Sequence, residues 1–135
     1  MSASTSVDEA AIRSVMSSYE AALNASSTEA AMPLYTEDGV FMAPNNQSAI
    51  GKAAVRRAYD AVFKAITLKV RFTIAELVVM ASQWAFVRTN SAGTQKINAT
   101  GATSAEANQE LFIFRKGDDG QWRIARYSFS TTNPL

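Results

Sequence analysis

The 135-residue sequence contains neither cysteine nor histidine. Without cysteine there is no disulfide, no thiolate nucleophile and no zinc–thiolate site. Without histidine the usual serine and cysteine triads, imidazole metal sites and the commonest general base at neutral pH are all excluded. Acid–base work is left to carboxylates, tyrosines and lysines. Charge of one sign is lacking as well. Thirteen basic residues stand against twelve acidic ones, a net charge of +1, and the only adjacent basic pairs are Arg56-Arg57 and Arg115-Lys116. No global field draws the chain to nucleic acid. Long apolar runs are absent too: none approaches the ~18 residues that cross a membrane. The opening MSASTS has neither the basic nor the apolar region of a secretory signal. The acids Asp8, Glu9, Glu29 and Asp60 have no metal-site spacing. A cytoplasmic protein is expected, with no cofactor, metal, nucleic-acid partner or membrane partner.

What is present suits one globular domain over residues 1–135, with residues 1–6 as a disordered tail. Hydrophobic residues make up 47% of the chain and charged ones 19%, too apolar a balance for disorder. Val7, Ile12, Val15, Met16, Tyr19 and Leu23 keep helical spacing over about 7–25, with Ser6 and Glu9 placed as a capping box. A short helix is expected at 28–34, with Pro33 awkwardly late in it, and a strand at 38–44. Gly51 opens a third helix whose stripe is Val55, Ala58, Tyr59, Val62, Phe63 and Ile66. From Leu68 the apolar period becomes two, predicting strands at 68–80, 84–91, about 108–116 and about 121–131. The run Leu77-Val78-Val79-Met80 suggests a bulge, and 92–107 is either a long hairpin tip or a mobile loop. Gly117-Asp118-Asp119-Gly120 is a hairpin turn. Helices followed by consecutive strands predict an α+β fold, a curved antiparallel sheet wrapped around N-terminal helices with a cavity between them.

Four segments carry a family resemblance. Ser18 to Asn24 followed by Leu34 to Val40, then Ile50-Gly51-Lys52-Ala53-Ala54-Val55-Arg56, then Gly120-Gln121-Trp122-Arg123-Ile124 resemble the nuclear-transport-factor-2-like superfamily. Its SnoaL-like branch is the nearest. The resemblance implies a cone-shaped, cystatin-like roll, and it implies no one activity, since the fold hosts isomerases, dehydratases, cyclases and plain binders. Against the ketosteroid isomerase pattern, Tyr19 stands where an oxyanion-donor tyrosine would be and Glu110 where a protonated strand acid would be. Ala43 stands where the base would be.

Each candidate also has a plainer role. Tyr19 lies on an apolar helix stripe and could be a core tyrosine as readily as a ligand-facing one. Glu110 shares a strand face with Phe112 and Phe114, where a carboxylate is costly unless paired or protonated. Arg88 shares a face with Trp84, Phe86 and Asn90; it is expected to pair with Glu110, the alternative being the sheet's outer face. Asn108 would be a neutral partner for a ligand carbonyl. Tyr35, Tyr59, Phe63, Trp84, Phe112 and Tyr127 are expected cavity walls. Leu111, Ile113, Ile124 and Val87 are assigned to the outer face, whose apolar character predicts a symmetric homodimer. The expected function is binding of a small hydrophobic molecule bearing a carbonyl or hydroxyl. The alternatives are an isomerase, dehydratase or cyclase using Glu110 and Tyr19, and a protein-association module.

Overall fold

The computed structural model describes residues 3–134. Helix α1 (Ala3–Asn24) is followed by α2 (Thr28–Ala31), a 3-10 turn (Met32–Leu34) and strand β1 (Tyr35–Met42). Then come β2 (Ala49–Ile50), α3 (Lys52–Ala65), β3 (Ile66–Ala81), β4 (Trp84–Ile97), β5 (Thr103–Lys116) and β6 (Trp122–Thr131). The sheet order is β2-β1-β6-β5-β4-β3. The expected α+β architecture is present, with one parallel pairing, β1 beside β6, in an otherwise antiparallel sheet.

Helix α1 begins earlier than the Ser6–Glu9 box predicts. Residues 3–6 form its first turns rather than a tail, and residues 1–2 lie outside the described residues. Its buried stripe is Asp8, Ile12, Met16, Tyr19 and Leu23, while Val7 is exposed. An aspartate holds that first buried position because it has partners there. Trp122 Nε1 and Lys116 Nζ donate to Asp8 Oδ1 at 3.0 and 3.1 Å. The indole bond, with help from Lys116 and against desolvation, holds the Asp8 carboxyl below its ordinary range. Pro33 ends α2 by lacking a helical N–H, and the chain tightens into the 3-10 turn there.

Strand β3 is a sheet edge, and α1 covers part of it with side chains that act as a partner strand. Asn24 Oδ1 accepts from Val70 N at 2.8 Å, and Asn24 Nδ2 donates to Val70 O at 2.9 Å. Glu20 Oε1 accepts from Phe72 N at 2.7 Å. Unpaired edge groups are thereby satisfied.

Residues 92–107 resolve as the long arms of the β4–β5 hairpin around a turn at 98–102, where Gly101 has a φ of +75°. Gly93 bends β4 hard against β3. A Cβ there would lie 1.9 Å from Lys69 O and 2.8 Å from Val70 Cα. Register shifts at Ile74/Glu76, Ile113/Phe114 and Tyr35/Val40 add curvature. The core fills most of the space between the sheet's inner face and the helices. Its largest buried side chains include Tyr19, Tyr35, Tyr59, Phe112, Phe114 and Met32.

Candidate functional site

One mainly apolar cavity of about 280 Å³ opens between α1, α3 and the inner face of the sheet. Tyr19 and Leu23 reach it from α1, Tyr59 and Val62 from α3, and Phe41 and Ala43 from β1 and the loop after it. Leu68, Val70 and Phe72 come from β3, and Tyr127 and Phe129 from β6. Its polar groups are few: Ser91 and Gln95 on β4, Glu106, Asn108 and Glu110 on β5, and Asn46 on the loop. The volume lies just below the ~300–1,000 Å³ of ligand sites for drug-sized molecules, so it suits a smaller ligand.

The pocket's floor is a chain of phenols. The Tyr19 and Tyr59 hydroxyl oxygens are 2.6 Å apart, and those of Tyr59 and Tyr35 are also 2.6 Å apart. Three hydroxyls need two protons to bond one another, so one proton remains for a further acceptor. With the chain aligned Tyr35 to Tyr59 to Tyr19, that proton sits on Tyr19, which lines the cavity and also has the Tyr127 hydroxyl within reach. Burial pushes all three hydroxyls well above the ordinary tyrosine range, so they stay neutral donors. The rings reinforce this floor. Tyr127 stacks on Phe112 with centroids 4.0 Å apart and planes 5° apart, and Phe41 stacks on Tyr59 at 4.8 Å.

Glu110 is 3% exposed and, among the described residues, has no basic partner. Thr89 Oγ1 donates to its Oε1 and Ser91 Oγ to its Oε2, each at 2.5 Å. Burial raises its pKa above the usual carboxylate value; the Ser91 and Thr89 bonds oppose that, and nearby Glu106 adds to it. A carboxyl so placed exchanges a proton nearer neutrality than an exposed one, or donates a hydrogen bond when protonated.

Tyr19, Tyr59, Tyr127, Asn108 and Glu110 therefore come together as cavity wall. Other expected members do not. Tyr35 and Phe112 are fully buried behind Tyr59 and Tyr127, outside the cavity lining. Phe63 packs on Tyr59 at 5.9 Å without lining the cavity. Trp84 and Arg88 lie on the outer face. Arg88 Nε bonds Glu76 Oε1 at 3.0 Å, not Glu110, and Trp84 is 39% exposed with the Arg115 guanidinium 5.5 Å from its ring centre. Val87 and Ile124, expected outside, are fully buried.

The cause is register. The residue opposite Glu110 on β4 is Thr89, so Ala85, Val87, Thr89 and Ser91 face inward, and the larger Trp84, Phe86 and Arg88 face out. Size and aromaticity mislead here, because the inner face needs small residues where the phenols crowd it. The residues missed were Thr89, Ser91, Phe41, Phe129 and Glu106. The turn at 98–102 was the available signal. Counting both strands outward from it places Thr89 against Glu110.

Among the described residues no group of three acidic, histidine or cysteine side chains could hold a metal ion. No described helix is long and apolar enough to cross a membrane.

The SnoaL-like domain model matches residues 15–127. A ketosteroid isomerase-like protein from Erwinia carotovora atroseptica is 37% identical, with 93% of this chain and 96% of that one covered and a TM-score of 0.89. A conserved protein from Planctomyces limnophilus is 25% identical over 93% and 98% of the two chains, at a TM-score of 0.81. A nuclear transport factor 2-like superfamily protein from Salmonella enterica shares the fold at 15% identity, with 97% and 95% covered and a TM-score of 0.84. No curated protein matches. A family model spanning most of the chain and a relative covered nearly end to end give one conclusion: the chain belongs to the SnoaL-like family.

Proposed function

We propose that the protein binds a small, mostly apolar molecule, and that the cavity holds a carbonyl or hydroxyl oxygen of that molecule against Tyr19 and Glu110. The observation that carries this is the convergence of the Tyr35–Tyr59–Tyr19 hydroxyl chain and the buried Glu110 carboxyl on one aromatic cavity. Buried polar groups without charge partners favour a ligand oxygen that accepts their protons. Titration with 2-naphthol tests it. Wild type is expected to bind, and Tyr19→Phe to bind about 3- to 10-fold more weakly through one lost neutral hydrogen bond. Absence of binding, or equal affinity in the variant, overturns the proposal.

A second reading is catalysis, isomerisation or dehydration, with Glu110 exchanging the proton. The specific support is that a carboxyl is kept in the pocket at the cost of burial. The residue facing the cavity where a first-strand base would stand is Ala43, which has no proton to move. Glu110 would therefore have to act alone. On a substrate found by screening, unchanged turnover in Glu110→Gln rules this reading out.

A further inference from the structure

Apart from its tyrosines, the titratable side chains that line the cavity are acids. Among the described residues its lining contains Glu106 and Glu110 and no lysine or arginine. Elsewhere among the described residues, Asp8, Glu29, Glu37, Glu76 and Asp119 each pair with a cation, while the remaining acids, such as Glu9, Asp60 and Asp118, form no salt bridge. The two cavity carboxylates have only neutral donors: hydroxyls for Glu110, and for Glu106 the Asn108 amide, whose Nδ2 donates to Oε1 at 2.5 Å.

The two acids are also placed differently. They share the inner face of β5 four residues apart, which is ~13 Å at strand rise. Glu110 sits beside the phenols, and burial lessens outward through Asn108, 8% exposed, to half-buried Glu106. Opposite Glu106 on β4 is Gly93, which puts no side chain over it. Glu106 is therefore the more exposed of the two acids, with one carboxylate oxygen bonded to Asn108 and, among the described residues, no ion pair. At the Glu110 end stand the stacked rings of Tyr59, Phe41, Tyr127 and Phe129, with successive centroids 4.8, 5.6 and 5.6 Å apart and Phe129 paired opposite Glu110 on β6. Aromatic faces and a carboxylate together favour a cation and disfavour an anion.

We infer that the ligand is an aromatic or similarly apolar amine, its oxygen-bearing end set against Tyr19 and its ammonium end held by Glu106 at the outer end of the cavity. This rests on the binding function proposed above and adds the charge of the ligand to it. Anionic ligands of the same shape are rejected, because the cavity has no basic group to receive them.

The experiment compares three phenols of matched shape: tyramine, its neutral isostere 2-(4-hydroxyphenyl)ethanol, and 4-hydroxyphenylacetate. Each is titrated into wild type, Glu106→Gln and Glu106→Lys. Glutamine keeps the acceptor for Asn108, and a thermal melt of each variant checks folding. Tyramine is expected to bind wild type about 10- to 100-fold tighter than the neutral isostere, as a charged hydrogen bond predicts. Glu106→Gln should erase that preference, and Glu106→Lys should transfer it to 4-hydroxyphenylacetate. Equal affinity for tyramine and the neutral phenol overturns the inference while leaving the cavity's binding role intact. So does a tyramine preference that survives Glu106→Gln. If 2-naphthol and all three phenols fail to bind a folded wild type, the binding role fails and the inference fails with it.

Discussion

Replacing Asn24 with alanine removes the clamp that α1 places on the edge of the sheet. Its side chain makes both backbone hydrogen bonds of Val70, accepting from N–H at 2.8 Å and donating to C=O at 2.9 Å. Val70 is 8% exposed and packs in the core, so water reaches these groups poorly once the amide is gone. Each unpaired buried group costs about 1–3 kcal/mol, and some relaxation or water entry lowers that. Alanine's better helix propensity returns roughly 0.5 kcal/mol. The expected loss is about 2–4 kcal/mol, a large share of the ~5–15 kcal/mol that holds a domain of this size. Urea denaturation should show it as a lower midpoint at unchanged slope. The aspartate variant separates the two bonds. It keeps an acceptor for Val70 N–H but sets an anionic oxygen against Val70 C=O. At neutral pH it should be at least as unstable as alanine. It should regain stability relative to wild type as pH falls toward ~4, where a protonated carboxyl can donate. An alanine variant within about 0.5 kcal/mol of wild type would refute the clamp, and so would an aspartate variant indifferent to pH.

Three further expectations follow from separate features. Gly93→Ala places a methyl 1.9 Å from the Lys69 carbonyl oxygen, where neither backbone can yield; a loss of at least ~3 kcal/mol is expected by urea denaturation, and near-wild-type stability contradicts the bend. Glu110 has a raised folded pKa, so its favourable contribution is full below its unfolded value near ~4.3 and is lost as pH rises through the folded value. Glu110→Gln should therefore flatten the stability–pH curve above pH ~4, and an identical curve for both proteins contradicts the buried carboxyl. On the outer face Val78, Phe86 and Ile113 form one cross-strand row beside exposed Trp84 and Leu111. We propose that a second copy covers this row, and sedimentation should find a dimer that Leu111→Glu dissociates; a wild-type monomer removes the idea.

The parts of the fold legible in sequence were those with a sustained period. The α3 stripe from Val55 to Phe63 and the β3 alternation from Leu68 to Ile74 stand as expected. Tyr19 and Glu110, singled out by a resemblance that marks both positions, do line the cavity. What was not legible was pairing. Nothing in Trp84-Ala85-Phe86-Val87-Arg88 alone says which parity faces inward, and the hairpin register that decides it is set by a turn ten residues away. Asp8 was hidden for a related reason. A carboxylate in a core stripe is visible only once Trp122, 114 residues distant, is seen to donate to it.

The central claim is that ligands enter the tyrosine-floored cavity and not the outer face. Backbone amide chemical shifts recorded during a 2-naphthol titration test it most directly. The account predicts that the shifts concentrate at Tyr19, Tyr59, Ser91, Asn108, Glu110 and Tyr127, and that they shrink in Tyr19→Phe at the same ligand concentration. Shifts centred on Trp84, Arg88 and Leu111, with the cavity residues unmoved, would contradict it.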